Sequence, residues 1–362
     1  MALSHFIKKN LTWAVVMLVL GACQTTIEQS GPTFKAAMLR GGVSIQPSNG
    51  GKVNFKSIPL ISLKQFLNGE YRGNPISISG ILNFPLRTGQ QRLPAVVILH
   101  GSGGPSYFEN NWQNILNDLG FVTFLVDSKS GRGCDQVFGG CAAQHQGMAN
   151  IVDAYQALNL LTNHPRIDPN RIAVLGLSIG GKAALYSSVK RFQRLWGHPG
   201  QEFAAYVPLY PPCNTVFIDD EFIGDAPIRI HIGDQDEWTS VRACKEYVTR
   251  LQANGKDVKI IVYPGAHHGF DTQSPMSSEG FDIPGWKHTN CRFREDQNLG
   301  NVPQQVVQAG YEKTGRKPSL DRVAFLMYDD DCATGSGRME YDSNAAARVK
   351  KLVSEFLSST LK

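Results

Sequence analysis

Residues 172–175 form an apolar, β-branched run that leads into Gly176-Leu177-Ser178-Ile179-Gly180-Gly181, and residues 182–191 follow with helical periodicity. A serine set between a strand and a helix in this way is the context of a nucleophile elbow, which belongs to α/β folds. Its glycines suit the role, because a serine on a strained turn needs neighbours without side chains so that backbone can bend and substrate can approach. The turn also brings the Ile179 amide to a helix N-terminus, where it can donate to a developing oxyanion. A tight turn that only packs helix on strand, with Ser178 as a bystander, is the plain structural alternative.

The rest of the chain carries a matching rhythm. Strand-like runs at 76–83, 95–100, 122–127, 172–175, 204–209, 228–232 and 258–263 alternate with amphipathic stretches, which predicts a mostly parallel sheet flanked by helices. The unbroken apolar run Ala95-Val96-Val97-Ile98-Leu99 suits a strand buried on both faces. Ile151, Ala154, Tyr155 and Leu158 share one helical face, as do Val349, Leu352, Val353, Phe356 and Leu357. Residues 272–342, rich in Gly, Asp, Ser and Pro, break the pattern and read as an insertion before the C-terminal helix.

Three further segments fall where acyl-transfer chemistry needs them. The run 95–99 enters His100-Gly101-Ser102-Gly103-Gly104, whose glycines leave amides free to face a substrate. Ser102 is the expected second oxyanion donor, with Gly103 the alternative, and His100 is expected to be structural. Past the serine, run 228–232 ends in Gly233-Asp234-Gln235-Asp236-Glu237-Trp238. An acid there would orient an imidazole and stabilise its protonated form. Asp236 is the expected acid, with Asp234 and Glu237 as rivals and helix capping near Thr239 or Ser240 as the non-catalytic reading. Run 258–263 leads to Pro264-Gly265-Ala266-His267-His268-Gly269-Phe270-Asp271. His268 is the expected base and His267 its neighbour. The order Ser178, Asp236, His268 is that of α/β-hydrolases and not that of chymotrypsin-like or subtilisin-like proteases.

On these segments, together with Asp127-Ser128-Lys129-Ser130-Gly131-Arg132-Gly133, the chain resembles the dienelactone hydrolase family over about residues 60–271 plus the terminal helix. The resemblance implies an α/β-hydrolase fold and ester cleavage without metal or organic cofactor. The family's namesakes use a cysteine nucleophile. Ser178 in its place points to a broader esterase acting on a small-molecule ester. Tyr107, Phe108, Arg132 and Trp238 could shape specificity, Arg132 by pairing with a substrate carboxylate, although packing is the commoner role for such residues. A serine peptidase or acyltransferase on the same fold, and a non-catalytic envelope-binding lipoprotein, are the competing readings.

The N-terminus is a separate object. Lys8 and Lys9 precede the apolar run 11–20, which ends in Gly21 and Ala22 before Cys23. A helix of that run rises about 15 Å, roughly half a hydrocarbon core, so export is the better reading than a permanent span. Leu20-Gly21-Ala22-Cys23 resembles the lipobox of bacterial lipoproteins, which implies removal of residues 1–22 and membrane anchoring through lipid on Cys23. A simple cleaved signal peptide is the alternative. Residues 23–55 are expected to be a flexible tether and residues 56–362 the hydrolase domain. Beyond Cys23 lie Cys134, Cys141, Cys213, Cys244, Cys291 and Cys332, an even number that suggests disulfides in an exported chain. Only Cys134 with Cys141 is locally suggestive. The formal charge of +5 drops by two without residues 1–22, too mild a balance to imply a nucleic-acid partner.

Overall fold

A computed structural model of the chain describes residues 33–35, 50–59, 63–86, 89, 91–134, 147–274, 277–284, 287, 289, 293–295 and 335–362. The export signal, the lipidation of Cys23 and the pairing of Cys141, Cys291 and Cys332 fall outside the described residues.

In chain order the strands are β1 (Thr33–Lys35), β2 (Gly51–Ser57), β3 (Glu70–Arg72), β4 (Ile76–Asn83), β5 (Leu93–Leu99), β6 (Val122–Asp127) and β7 (Ile167–Leu177). They continue as β8 (Ala205–Leu209), β9 (Thr215–Val216), β10 (Ile228–Gly233), β11 (Val258–Tyr263), β12 (Phe281–Pro284), β13 (Phe293–Arg294) and β14 (Ser336–Met339). The helices are α1 (Leu63–Asn68), α2 (Tyr107–Asp118), α3 (Met148–Thr162), α4 (Ile179–Tyr186), α5 (Lys190–Trp196), α6 (Val241–Ala253) and α7 (Ser343–Leu361).

Eight strands form the main sheet in the order β11-β10-β8-β7-β5-β6-β4-β2. Only β4 runs against its neighbours, and the others are parallel to one another. This is the mostly parallel, helix-flanked sheet expected from the sequence. Every residue of β5 is buried, because a central strand is covered on both faces. Helix α3 is buried almost throughout, whereas α7 buries the stripe Val349, Val353, Leu357 and Leu361 and is capped by Asp342, whose carboxylate accepts the Ala345 amide at 2.8 Å.

One expected boundary changes. The tether predicted for residues 23–55 stops short of residue 55, because residues 51–57 form the edge strand β2, with Val53, Phe55 and Ser57 facing inward. Alternation of two apolar residues among lysines and an asparagine is too brief to stand out as a strand, and pairing with β4 is what fixes it. β1 also pairs with β3.

Register decides where the site lies. Leu99 pairs with Gly176, Leu177 with Leu209, Leu209 with His231, and Gly233 with Tyr263. The C-terminal ends of β5, β7, β8, β10 and β11 therefore line up on one edge, and the loops that follow them are gathered there. The insertion is anchored at both described ends. β12 pairs with β14, and β13 pairs with β9.

Candidate active site

Ser178 occupies the turn between β7 and α4 with φ 55° and ψ −114°, a left-handed conformation that costs a non-glycine residue on the order of 1–3 kcal/mol. Surrounding structure holds it there. The Ser178 amide donates to the Leu209 carbonyl at 3.0 Å, and its own carbonyl accepts the Lys182 amide at 2.9 Å. The elbow glycines are required by close approach: a Cβ on Gly176 would lie 2.1 Å from the Gly180 carbonyl oxygen, and one on Gly180 would lie 2.3 Å from that of Leu99.

Across from the serine, His268 Nε2 lies 3.0 Å from Ser178 Oγ, and His268 Nδ1 lies 2.8 Å from Asp236 Oδ2. His268 and Asp236 are both buried. The Asp236 carboxylate is fully engaged, its Oδ1 accepting the Trp238 and Thr239 amides at 3.0 and 2.8 Å and its Oδ2 the Thr239 hydroxyl at 2.8 Å. A carboxylate can only accept, so Nδ1 carries the imidazole proton and Nε2 turns its lone pair to the serine. The arrangement can therefore remove a proton from Ser178 Oγ.

The rival residues are otherwise occupied. Asp234 is exposed and its carboxylate accepts the Gly265 amide at 2.8 Å, while Glu237 pairs with Lys287 at 2.6 Å. His267 points its Nε2 toward Glu340, 4.0 Å away. His100 donates from Nδ1 to the Gly101 carbonyl at 2.6 Å and accepts the Ser128 amide on Nε2 at 3.1 Å, so it shapes the loop after β5.

That loop runs beside the elbow, where a Cβ on Gly101 would be 3.7 Å from Ser178 Cβ. Glu109 takes the Gly101 amide at 3.1 Å, and Gly104 donates to the Gly101 carbonyl at 3.2 Å. Lys129 Nζ holds the Ser102 carbonyl at 3.1 Å. Among the described residues the amides of Ser102 and Ile179 donate to no protein acceptor.

Arg132 takes the structural one of its two expected roles. Rather than facing substrate, its guanidinium is buried and makes a two-pronged pair with Asp153 at 2.7 and 2.8 Å. Its remaining N–H groups go to the carbonyls of Ser128 and Ile58, so no donor is left for a ligand. Trp238 is nearly buried, with its indole stacked on His268, whereas Tyr107 is largely exposed.

Some contributors carry no legible signal in the sequence. Tyr210 and the buried Asp271 meet behind His268, and Trp112 donates to Asp271. The insertion also reaches His268: Met339 bridges to it, the Glu340 amide donates to the His268 carbonyl at 3.3 Å, and Phe281 packs edge-on against Trp238. A disulfide joins Cys213, in the loop after β8, to Cys244 on α6, and Cys134 is disulfide-bonded as well. Lys182 is buried one turn along α4, and burial alone lowers its ammonium to a pKa of about 8. Among the described residues no group of three or more His, Cys, Asp or Glu is placed to hold a metal, and no helix is long and apolar enough to cross a membrane.

The family model for the dienelactone hydrolase family matches residues 81–290, well over half of the chain. The chain belongs to that family. This dienelactone hydrolase family member is 26% identical over 227 residues to a probable 2-oxo-3-(5-oxofuran-2-ylidene)propanoate lactonase of a Bradyrhizobium species, covering 58% of this chain and 86% of the relative. It is 25% identical over 238 residues to protein usf of Aquifex pyrophilus, covering 64% of this chain and 94% of the relative. Its fold is similar to the crystal structure of a dienelactone hydrolase-like promiscuous phosphotriesterase from metagenomic libraries, with a TM-score of 0.51 and 16% identity over 86% of this chain and all of that one. It is a hydrolase of the dienelactone hydrolase family.

Proposed function

We propose that the chain hydrolyses carboxylic esters through an acyl-enzyme on Ser178. The observation that carries this reading is the single imidazole of His268 placed 3.0 Å from Ser178 Oγ and 2.8 Å from Asp236. As Ser178 Oγ attacks the ester carbonyl carbon, its proton passes to His268 Nε2. The carbonyl electron pair moves to oxygen, where the amides of Ile179 and Ser102 receive it, each worth on the order of 3 kcal/mol at the transition state. Collapse breaks the bond to the alcohol oxygen, which leaves with the proton from His268. Water then repeats the sequence, releasing the acid and restoring the serine. The Bradyrhizobium relative supports the bond type, since its name describes opening of a lactone, a cyclic ester.

In this reading the chain is exported and held on a bacterial envelope membrane by lipid on Cys23. The apolar run before Leu20-Gly21-Ala22-Cys23 and the Cys213–Cys244 disulfide support that placement. Turnover of p-nitrophenyl acetate tests the reaction class, with p-nitroanilides of the same acyl group as the comparison. Ester turnover that disappears in Ser178→Ala is expected. Absence of ester turnover, or faster cleavage of the anilides, would overturn the reading.

A further inference from the structure

Tyr210 directly follows β8, packs against His268 and is fixed to the strand that leads to the Asp236 loop. The carbonyl of the preceding Leu209 accepts the Ser178 amide at 3.0 Å. Tyr210 itself donates its amide to the His231 carbonyl at 2.6 Å, on the strand that runs into the Asp236 loop. Its ring meets the His268 imidazole with centroids 4.7 Å apart and planes inclined by 64°. Its hydroxyl donates to Asp271 Oδ1 at 2.8 Å, three residues beyond His268 in the same loop. The other oxygen of Asp271 accepts Trp112 Nε1 at 2.6 Å, from the helix that follows the His100 loop.

The backbone at Tyr210 is also strained. Its φ of 37° is left-handed, a property it shares with Ser178 and Asp219 among the described non-glycine residues. Strain of this kind persists where surrounding contacts over-determine it, and it clusters at functional sites. Burial holds the phenol well above its ordinary range, so the hydroxyl keeps its proton and donates to Asp271. A tyrosine side chain has few rotatable bonds, and with both backbone and hydroxyl fixed the ring is immobilised against the imidazole.

We propose that Tyr210, anchored by Asp271, is a positioning residue that holds His268 in line between Asp236 and Ser178, chiefly during deacylation. The proposal rests on the reading of His268 as the base. Before acylation the hydrogen bond to Ser178 Oγ helps to orient the imidazole. Once Oγ carries the acyl group it has no proton to share, and only Asp236 and the packed rings hold His268 ready to activate water. Loss of the Tyr210 ring therefore slows deacylation more than acylation.

The test is pre-steady-state and steady-state hydrolysis of p-nitrophenyl acetate by wild type, Tyr210→Leu and Tyr210→Phe. For Tyr210→Leu the expected result is a burst of about one equivalent of p-nitrophenol per active site. After the burst, kcat should be lowered about tenfold or more, with kcat/KM within about threefold of wild type. Tyr210→Phe keeps the ring and should retain at least a third of the wild-type kcat. Should Tyr210→Leu fail to fold, Tyr210→Met, which keeps more of the side-chain bulk without the ring, is read for the same split, with a loss in kcat exceeding that in kcat/KM. Equal losses in the two constants, or no loss, would overturn the proposal. Fluorophosphonate labelling of wild-type Ser178 separates the two failures, because an unlabelled wild type rejects the triad reading itself.

Discussion

The indole of Trp238 lies nearly parallel to the imidazole of His268, with ring centroids 4.7 Å apart and planes inclined by 20°. In the proposed mechanism His268 takes the serine proton and becomes a cation on an aromatic face, an interaction worth about 0.5–2 kcal/mol. Trp238→Leu should therefore lower kcat on an activated ester roughly 2- to 30-fold, and Trp238→Tyr should lose less. An unchanged kcat in Trp238→Leu would show that the stack is packing alone.

The adjacent histidines should separate sharply. His268 holds both Ser178 and Asp236, whereas His267 faces Glu340. His268→Ala should cut kcat by several orders of magnitude, and His267→Ala by about tenfold or less. Kinetics of both variants on one substrate check this, and a greater loss in His267→Ala contradicts the assignment.

Arg132 should prove structural. Its pair with Asp153 is buried on both sides, so Asp153→Ala leaves a guanidinium without its counter-charge and should reduce stability by about 3–5 kcal/mol. Urea unfolding measures the loss. Activity per folded molecule, including KM for an anionic ester, should stay near wild type, and a selective rise in that KM would restore Arg132 as a substrate contact.

Lys182 supplies a pH-dependent prediction. Among the described residues no group accepts from its ammonium, and burial lowers its pKa from 10.5 to about 8. Below about pH 8 it is charged in both folded and unfolded chains and burial of the charge is a constant penalty. From about 8 to 10.5 the unfolded chain retains a proton that the folded chain has released, so this contribution to stability rises with pH. Lys182→Met should accordingly stabilise the protein at pH 7, by up to about 3 kcal/mol, and by much less at pH 10. Denaturation midpoints at the two pH values check it, and destabilisation at pH 7 would contradict it.

Much of this architecture could be read from the chain because its signals are local. The elbow announces itself through Gly176, Ser178 and Gly180, whose spacing answers a steric demand within a few residues. Asp236 and His268 were legible because each follows a buried strand, so strand order alone brings them to one edge. Tyr210, Asp271 and Trp112 gave no such sign: they meet across 61 and 159 residues of chain, and nothing near Tyr210 predicts a left-handed φ. Arg132 kept its partner hidden for the same reason. Its conspicuous place in Gly131-Arg132-Gly133 said nothing of Asp153, 21 residues further along on α3. The Cys213–Cys244 disulfide was likewise one of several pairings the sequence left open.

The hydrogen-bonded chain from Ser178 through His268 to Asp236 is tested most directly by covalent labelling with a fluorophosphonate and mass spectrometry of the peptides. A single phosphonyl adduct on Ser178 is predicted, absent from Ser178→Ala and formed far more slowly in His268→Ala and Asp236→Ala. A wild-type protein that takes no label, or that carries it on another residue, would contradict the assignment of Ser178 as the nucleophile.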